Sequence, residues 1–430
     1  MQEKDSSVSL KTKRESEVKS TEVSIWTERM KSALANGVKG GKWYSLINKV
    51  YEVNTLEISS EEVLRNRGSS GVDGVTVEIF RRNKARYLDE IEKSLREGNY
   101  KPSAIRRVEI PKGDGKTRPL GIPTVKDRIV QMAVKKVIEP IFEAEFLDMS
   151  YGFRPGRGCK DALREVDKLI KAGNTWVVDV DLKSFFDSIP HESLLVEVKR
   201  RITDGRIIGL IEGWLKQDVL KGMETWKPTQ GTPQGGVISP LLANIYLHPL
   251  DVRMKELGYK MVRYADDVVV LCENEESASQ ALKDVERWVE GNGLSLNTEK
   301  TQKGNCSEEG KGISFLGYVF ECGKRYVRSK SLKAVRRKVK EKTPRKSGKS
   351  LQSVIATINP ILKGWYEYFK HAHRNTFQAV DGYVRRRLRA MLRRHEKKNR
   401  GFGANLNDHT KWKNSFFAKH GLFTMKEARA

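Results

Sequence analysis

Two short apolar runs in this chain end in carboxylates, and no other feature constrains the fold as tightly. The first lies in "TWVVDVDLKSFFD", residues 175–187, and the second is "RYADDVVVL", residues 263–271. Trp176 to Leu182 reads as a buried strand, and "YKMVRYADDVVVLCEN" reads as a β-hairpin. Period-two alternation puts Asp179 and Asp181 on one face of their strand, with Asp187 beyond them near a helix start. Asp266 and Asp267 fall in the hairpin. A D-D pair between strands is also an ordinary turn. A buried carboxylate, however, is costly unless it is paired or holds a metal. A fold that brings carboxylates from two strands to one place turns that cost to use.

The other patterns say what surrounds those strands. A short helical region is expected within residues 25–57, and residues 85–97 form an amphipathic helix. "SAIRRVEIPKGDGKTRPLGIP" reads as strand, glycine turn and strand: Arg107 to Ile110, Gly113 to Gly115, Arg118 to Ile122. Residues 125–144 are helical, with Val130, Met132, Ala133, Val134 and Val137 on the apolar side. Helical patterns run from 191 to 221. "GTPQGGVISPLLANIYLHPLDVRM" is a glycine-rich loop entering a helix, 276–291 is another helix, and "ISFLGYVFECGKRYVR" is a strand pair. Strands and helices mix without a βαβ repeat, which points to an α+β core with an antiparallel sheet backed by helices. Composition then shifts: from Arg325 to Arg400 there are 24 Lys or Arg and four acids, on helices expected at 331–343, about 351–374 and 376–398. The expected domains are a disordered polar tail at 1–24, a mixed core at 25–324 and a basic helical domain at 325–430.

Charge and composition exclude several classes. The formal net charge is +26 in 430 residues, with 38% hydrophobic and 32% charged. An excess that large calls for a polyanionic partner, most simply nucleic acid. No run approaches eighteen apolar residues and the N-terminal segment has no apolar core, so neither a membrane span nor secretion is expected. Cys159, Cys272, Cys306 and Cys322 form no C-x-x-C pair, and His371 and His373 are the only close histidines. Reduced thiols in a cytosol fit better than a disulfide framework or a zinc site.

Carboxylates beside a basic surface suit two-metal phosphoryl transfer, in which one ion activates a 3′ hydroxyl and the other stabilises the triphosphate. Mg²⁺ takes carboxylate, water and phosphate oxygens, with Mn²⁺ a possible substitute. The segments "NRGSSGVDGV", "RRVEIPKGDGKTRPLGIPTVKDRIVQ", "YGFRPGRGCKDAL", "DLKSFFDSIPH", "QGTPQGGVISPLLANIYL", "YADD", "GLSLNTEKTQ" and "FLGYVF" follow one another along the chain, and then come "INPILKGWYEYF", "YVRRRLR" and "FFAKHGLFTMKEAR". This ordered set resembles the group II intron-encoded reverse transcriptase and maturase family over roughly residues 25–430. The resemblance implies a right-hand polymerase fold, fingers and palm built on an antiparallel sheet, followed by an α-helical thumb and maturase domain. It implies an RNA-directed DNA polymerase that also binds intron RNA and assists its splicing and mobility.

The resemblance also assigns residues. It makes Asp181, Asp266 and Asp267 the catalytic and metal-binding acids; alternation alone cannot choose between Asp181 and Asp179. Asp187 is left as a structural residue, a helix cap. Arg106, Lys112 and Arg118 resemble a triphosphate clamp, and Leu182, Phe186, Gln234 and Lys300 complete the nucleotide set. A ring at Phe186 beneath the sugar would exclude a 2′ hydroxyl, while Phe185 reads as core. Gly235 and Gly236 let backbone approach a nucleotide, with Pro233 and Pro240 stiffening the loop and the helix start. Arg154 and Arg157 either clamp RNA or brace the fold. In "YVRRRLRAMLRRHEKKNR", Tyr383, Leu388, Met391 and Leu392 supply an apolar side, so Arg385, Arg386, Arg387, Arg389, Arg393 and Arg394 are expected to face outward onto RNA phosphates.

The implied partners are group II intron RNA, an RNA template with a DNA primer, dNTPs and, if the element is mobile, target DNA. The expected location is the bacterial cytosol, nucleoid-associated if mobile, with no membrane partner and no fixed oligomeric state. Many family members continue into an H-N-H nuclease with paired cysteines; none is expected here, so mobility would need another primer. Two other readings stay open: a host-adapted relative used in repair or defence, and a splicing factor without polymerase activity.

Overall fold

The computed structural model describes residues 25–113, 116–345, 348–396 and 406–429. The expected tail at 1–24 lies outside the described residues, as does part of the Gly113 to Gly115 turn. Strands are β1 (Ile105–Gly113), β2 (Lys116–Ile122), β3 (Trp176–Asp181), β4 (Val219–Lys221), β5 (Glu224–Trp226), β6 (Lys260–Tyr264), β7 (Asp267–Cys272), β8 (Gln302–Asn305), β9 (Ile313–Phe315), β10 (Tyr318–Glu321) and β11 (Lys324–Val327). Long helices alternate with them, so the fold is α+β, as expected. No helix among the described residues is long and apolar enough to cross a membrane.

The chain forms two compact units. One comprises residues up to Ala162, Val180–Val268 and Gln280–Thr301; the other comprises Leu163–Asp179, Val269–Ser279 and Gln302 onward. No single cut at 324/325 separates them. Sheets recruit strands far apart in sequence, and a shift in composition does not register that.

In the first unit, β1 and β2 pair antiparallel, with Val108 opposite Leu120 and Ile110 opposite Arg118. The sheet order is β2-β1-β4-β5. The β1–β4 pair is parallel, so this sheet is mixed and not purely antiparallel. Three-residue strands such as β4 carry no readable period, and the helical pattern expected through 221 gives way to strand there. The helix Val125–Glu143 is capped by the Thr124 hydroxyl, which accepts from the Asp127 N–H. That helix buries Val125, Ile129, Val130, Ala133, Val134 and Val137 completely, and it packs on the helix Val53–Arg65. Each buried Val or Ile contributes about 1.5–3 kcal/mol, so this apolar face anchors the helical core of the unit.

The second unit holds the antiparallel sheet β11-β10-β9 and the helices Ser329–Lys342, Leu351–Phe369 and Asn375–His395. "ISFLGYVFECGKRYVR" makes three strands where a pair was expected. Its extra turn is Leu316–Gly317, with φ 45° and 83°, and the second is Cys322–Gly323, with φ 46° and 68°. Positive φ at both central residues is the hairpin geometry that matches strand twist, and neither Leu nor Cys advertises it. The third sheet runs β6-β7-β3-β8, so β7 and β3 are neighbours.

Candidate active site

The D-D pair is a turn, and more than a turn. Strand β6 ends at Tyr264 and β7 starts at Asp267, leaving Ala265–Asp266 between them. Ala265 is buried and left-handed, at φ 58°, a conformation that costs a non-glycine residue roughly 1–2 kcal/mol. Something must hold it. A Cβ on Gly152 would stand 2.3 Å from the Ala265 nitrogen, so only glycine lets that segment lie against the turn. Arg263, wholly buried, does the rest. Its Nε donates to Asp251 Oδ1 at 2.7 Å, and one terminal nitrogen donates to Asn244 Oδ1 at 2.9 Å and to the Ala265 carbonyl at 3.1 Å. Its other terminal nitrogen meets the second Asp251 oxygen, and that carboxylate is also fully buried. A buried ion pair is favourable only when its remaining valences are filled, and here they are. The backbone of Arg263 bonds to Met149 and Tyr151, and Asn244 Nδ2 donates to the Gly152 carbonyl at 2.8 Å. Hairpin, helix Ser239–Glu256 and segment 149–152 are thereby tied at the base of Asp266 and Asp267.

Asp181 closes strand β3, next to β7. Its carbonyl accepts from Asn297 N–H at 2.8 Å, its N–H donates to Thr301 Oγ1 at 3.3 Å, and Lys183 N–H donates to the Ser295 carbonyl at 2.9 Å. The segment 295–301 is thus zipped along the strand end. That zip delivers Lys300, whose ammonium donates to both Asp181 carboxylate oxygens at 3.1 and 3.2 Å. Leu182, assigned to the nucleotide set, is buried and bridges to Leu296. Asp179 pairs in register with Gln302. Among the described residues, no group of three or more His, Cys, Asp or Glu stands ready to hold a metal. The fit to a hard divalent ion rests on donor type, all oxygen, and on the Asp181 carboxylate, which already presents both oxygens to one cation.

Beyond Asp181 the chain turns into the short helix Phe185–Ser188. Phe185 is core, 2% exposed, as expected, and Phe186 stands half-buried edge-on to it at 5.4 Å between centroids. Asp187 corrects the expectation of a cap: Ser184 holds the N-cap position, without a side-chain bond, and Asp187 lies inside the helix. Its Oδ2 accepts from Gln234 Nε2 at 3.0 Å, and Gln234 Oε1 accepts from Arg118 Nε at 2.9 Å. Crowding by neighbouring atoms pushes the Asp187 carboxyl above its ordinary range, against the pull of Arg107, Gln234 and Arg118, although the residue stands exposed at the rim of a cavity. That cavity, about 340 Å³, is lined by Arg107, Asp187, Trp226, Thr232, Pro233 and Gln234 among others.

Gly235 and Gly236 do permit close approach, but to protein: a Cβ would fall 2.4 Å from the Gly121 carbonyl in one case and 2.6 Å from Ser239 Oγ in the other. Arg106 is committed elsewhere, donating to the Ser70 carbonyl at 3.0 and 2.6 Å, while Arg128 donates to Ser69 at 2.6 Å. The Lys112 side chain lies outside what is described.

The arginines assigned to RNA divide. Arg154 is a brace: buried, it donates to both Glu143 oxygens at 3.0 Å and to the Leu147 and Ser150 carbonyls at 2.6 and 2.8 Å. Arg157 is half-buried and pairs with Asp148. On the helix Asn375–His395, Arg386 and Arg394 are exposed, whereas Arg385 is half-buried. Leu388 and Met391 are buried. Arg389 corrects the outward expectation. It is 4% exposed and donates to the Trp412 carbonyl at 3.0 and 2.8 Å. Arg387 bonds to Thr343, and Arg393 pairs with Asp408. A single helix wheel cannot foresee that residues 412–414 cover a second face. Conversely, Lys333, Arg336, Arg337, Lys338 and Lys340, not singled out from sequence, are exposed on the helix Ser329–Lys342.

Residues 110–320 match the reverse transcriptase (RNA-dependent DNA polymerase) family, and residues 332–410 match the group II intron maturase-specific domain. The chain is 34% identical over 314 residues to protein YkfC of Escherichia coli (strain K12), covering 64% of this chain and 82% of that one. It is 39% identical over 209 residues to the group II intron-encoded protein LtrA of Lactococcus lactis subsp. cremoris, covering 48% of this chain and 34% of LtrA. It is 26% identical over 373 residues to a putative COX1/OXI3 intron 1 protein of Saccharomyces cerevisiae, covering 74% of this chain and 44% of that protein. The chain therefore spans most of the first relative and less than half of the other two.

Proposed function

The chain belongs to the reverse transcriptase family and carries a group II intron maturase domain, and from that premise we propose that it is an RNA-directed DNA polymerase which also binds a group II intron RNA and assists its splicing and mobility. One observation carries the reading: Asp181 at the end of β3 and the rigidly held Asp266–Asp267 turn at the start of the neighbouring strand β7. The stretch containing β1, β3, β6 and β7 would serve as fingers and palm, and the basic helices after residue 324 as thumb and maturase domain.

The family generally uses divalent metal ions; we take Mg²⁺ as the physiological one, with Mn²⁺ as a substitute. Asp181, Asp266 and Asp267 would hold it, and a bound pair supplies Lewis-acid activation of the primer 3′ hydroxyl and charge neutralisation at the triphosphate. The chain's own groups do the rest. Arg263 and Gly152 keep the Asp266–Asp267 turn from relaxing. Lys300 neutralises Asp181 and lies within reach of a triphosphate bound there. Arg118 offers a guanidinium to phosphate oxygens. Phe186 forms the floor that selects deoxyribose by excluding a 2′ hydroxyl. The exposed cations of Ser329–Lys342 and Asn375–His395 would take RNA phosphates.

The test is dNTP incorporation on a primed RNA template with Mg²⁺, wild type against Asp266→Ala/Asp267→Ala. Wild-type extension that disappears in the double variant is expected. Extension that persists in the variant would remove the active site from this position. No extension by wild type across several primers and salt conditions would leave the splicing-factor reading.

A further inference from the structure

Resting on the polymerase reading above, we propose that Asp187 is a positioning residue for the incoming nucleoside triphosphate: its carboxylate fixes the Gln234 amide, and through that amide the Arg118 guanidinium. An amide has a donor end and an acceptor end. An ionised carboxylate accepts and cannot donate, so Asp187 Oδ2 at 3.0 Å selects Nε2. That leaves Oε1 toward Arg118 Nε at 2.9 Å. With the amide reversed, Nε2 would face the all-donor guanidinium and no hydrogen bond to Arg118 could form. Spending Nε on Gln234 leaves the two terminal nitrogens of Arg118, the pair suited to a phosphate oxygen pair, uncommitted to Gln234.

The backbones that carry the three residues are fastened together at the same point. Gly121 N–H donates to the Gln234 carbonyl at 2.7 Å, which ties β2 to the loop. Thr232 N–H donates to the Phe186 carbonyl at 2.6 Å and Gly231 N–H to the Ile189 carbonyl at 2.7 Å, which ties the loop to the helix Phe185–Ser188. Gly231 is left-handed at φ 88°, and a Cβ there would strike the Asp187 backbone at 2.8 Å. With backbone slack removed, side-chain choice decides where Arg118 points. The competing account is charge balance, since Arg107 lies near Asp187 and stacks over Trp226 at 5.4 Å. In that account the effect of removing Asp187 would not depend on Gln234.

The experiment is steady-state dNTP incorporation on a primed RNA template by the full chain and by Asp187→Asn, Asp187→Ala, Gln234→Ala and the Asp187→Ala/Gln234→Ala double variant. Asp187 stands exposed at the cavity rim, so its truncation leaves the core intact; Asp187→Asn keeps the shape if Asp187→Ala does not fold. The expected result is a dNTP KM raised roughly tenfold in both Asp187 variants, the effect typical of removing a charge-assisted hydrogen bond, with kcat within about threefold. The double variant is expected to be no worse than Gln234→Ala alone. Additive KM increases would overturn the relay, and so would a kcat decrease at unchanged KM. A wild-type protein that extends no primer overturns the polymerase reading, and this proposal with it.

Discussion

At the scale of single residues, the placement of the carboxylates at strand ends was legible and their supports were not. Alternation draws attention to Asp179 and Asp181 together, the D-D pair to Asp266 and Asp267, because a buried carboxylate is costly unless paired or metal-bound. Arg263 stands beside the same pair, yet nothing local marks it, because its partners Asp251 and Asn244 lie 12 and 19 residues upstream on a helix. Removing it should be expensive. Arg263→Ala leaves the buried Asp251 carboxylate unpaired, and an unfolding free energy lower by about 3–5 kcal/mol is expected in urea titration. Arg263→Lys keeps the charge but not the forked geometry. It is expected to lose less stability while still slowing primer extension, since the Ala265 carbonyl loses its donor. Wild-type extension by Arg263→Lys would show that the turn holds itself.

At the scale of elements, hairpins and long helices announced themselves, and short strands did not. Strands β4 and β5 are three residues each, below the length at which period two can be seen. The loop 230–236 was recognisable as glycine-rich, but its anchorage depends on pairings no string displays. One of these is titratable. His191 is buried, and its Nε2 lies 2.8 Å from the Gly231 carbonyl. Burial pushes its imidazole below the ordinary 6.5, outweighing the bond to Gly231 that favours the charged form. With the folded value below the unfolded one, the unfolded chain takes up the proton first. The His191 contribution is therefore complete above about pH 6.5 and declines as pH falls from there toward the folded value. The melting temperature of wild type is expected to drop more between pH 7.5 and 5.5 than that of His191→Gln, which keeps a donor without the titration. Parallel curves would sever the loop from this histidine.

At the scale of the whole molecule, the +26 charge was an accurate pointer to a polyanion and a poor guide to which cations touch it. Arg386 and Arg394 face solvent, whereas Arg389 is a structural donor to Trp412. The two classes separate in an RNA-binding titration against salt. Arg386→Ala/Arg394→Ala is expected to make the log–log slope shallower by about one for each phosphate no longer neutralised, with folding unchanged. Arg389→Ala is expected to keep the slope and lower the melting temperature. The boundary between units was equally hidden, because composition changes at one place and the compact units trade segments at several.

The Lys300 ammonium across both oxygens of Asp181 has a consequence at this scale too. It is ballast that the chain carries for itself. Folding need not wait for an ion to quiet that strand end, and the chain would keep its shape there without one. If Asp181 holds a metal as proposed, the ammonium would give way to it late and reversibly, and metal would not be a condition of assembly.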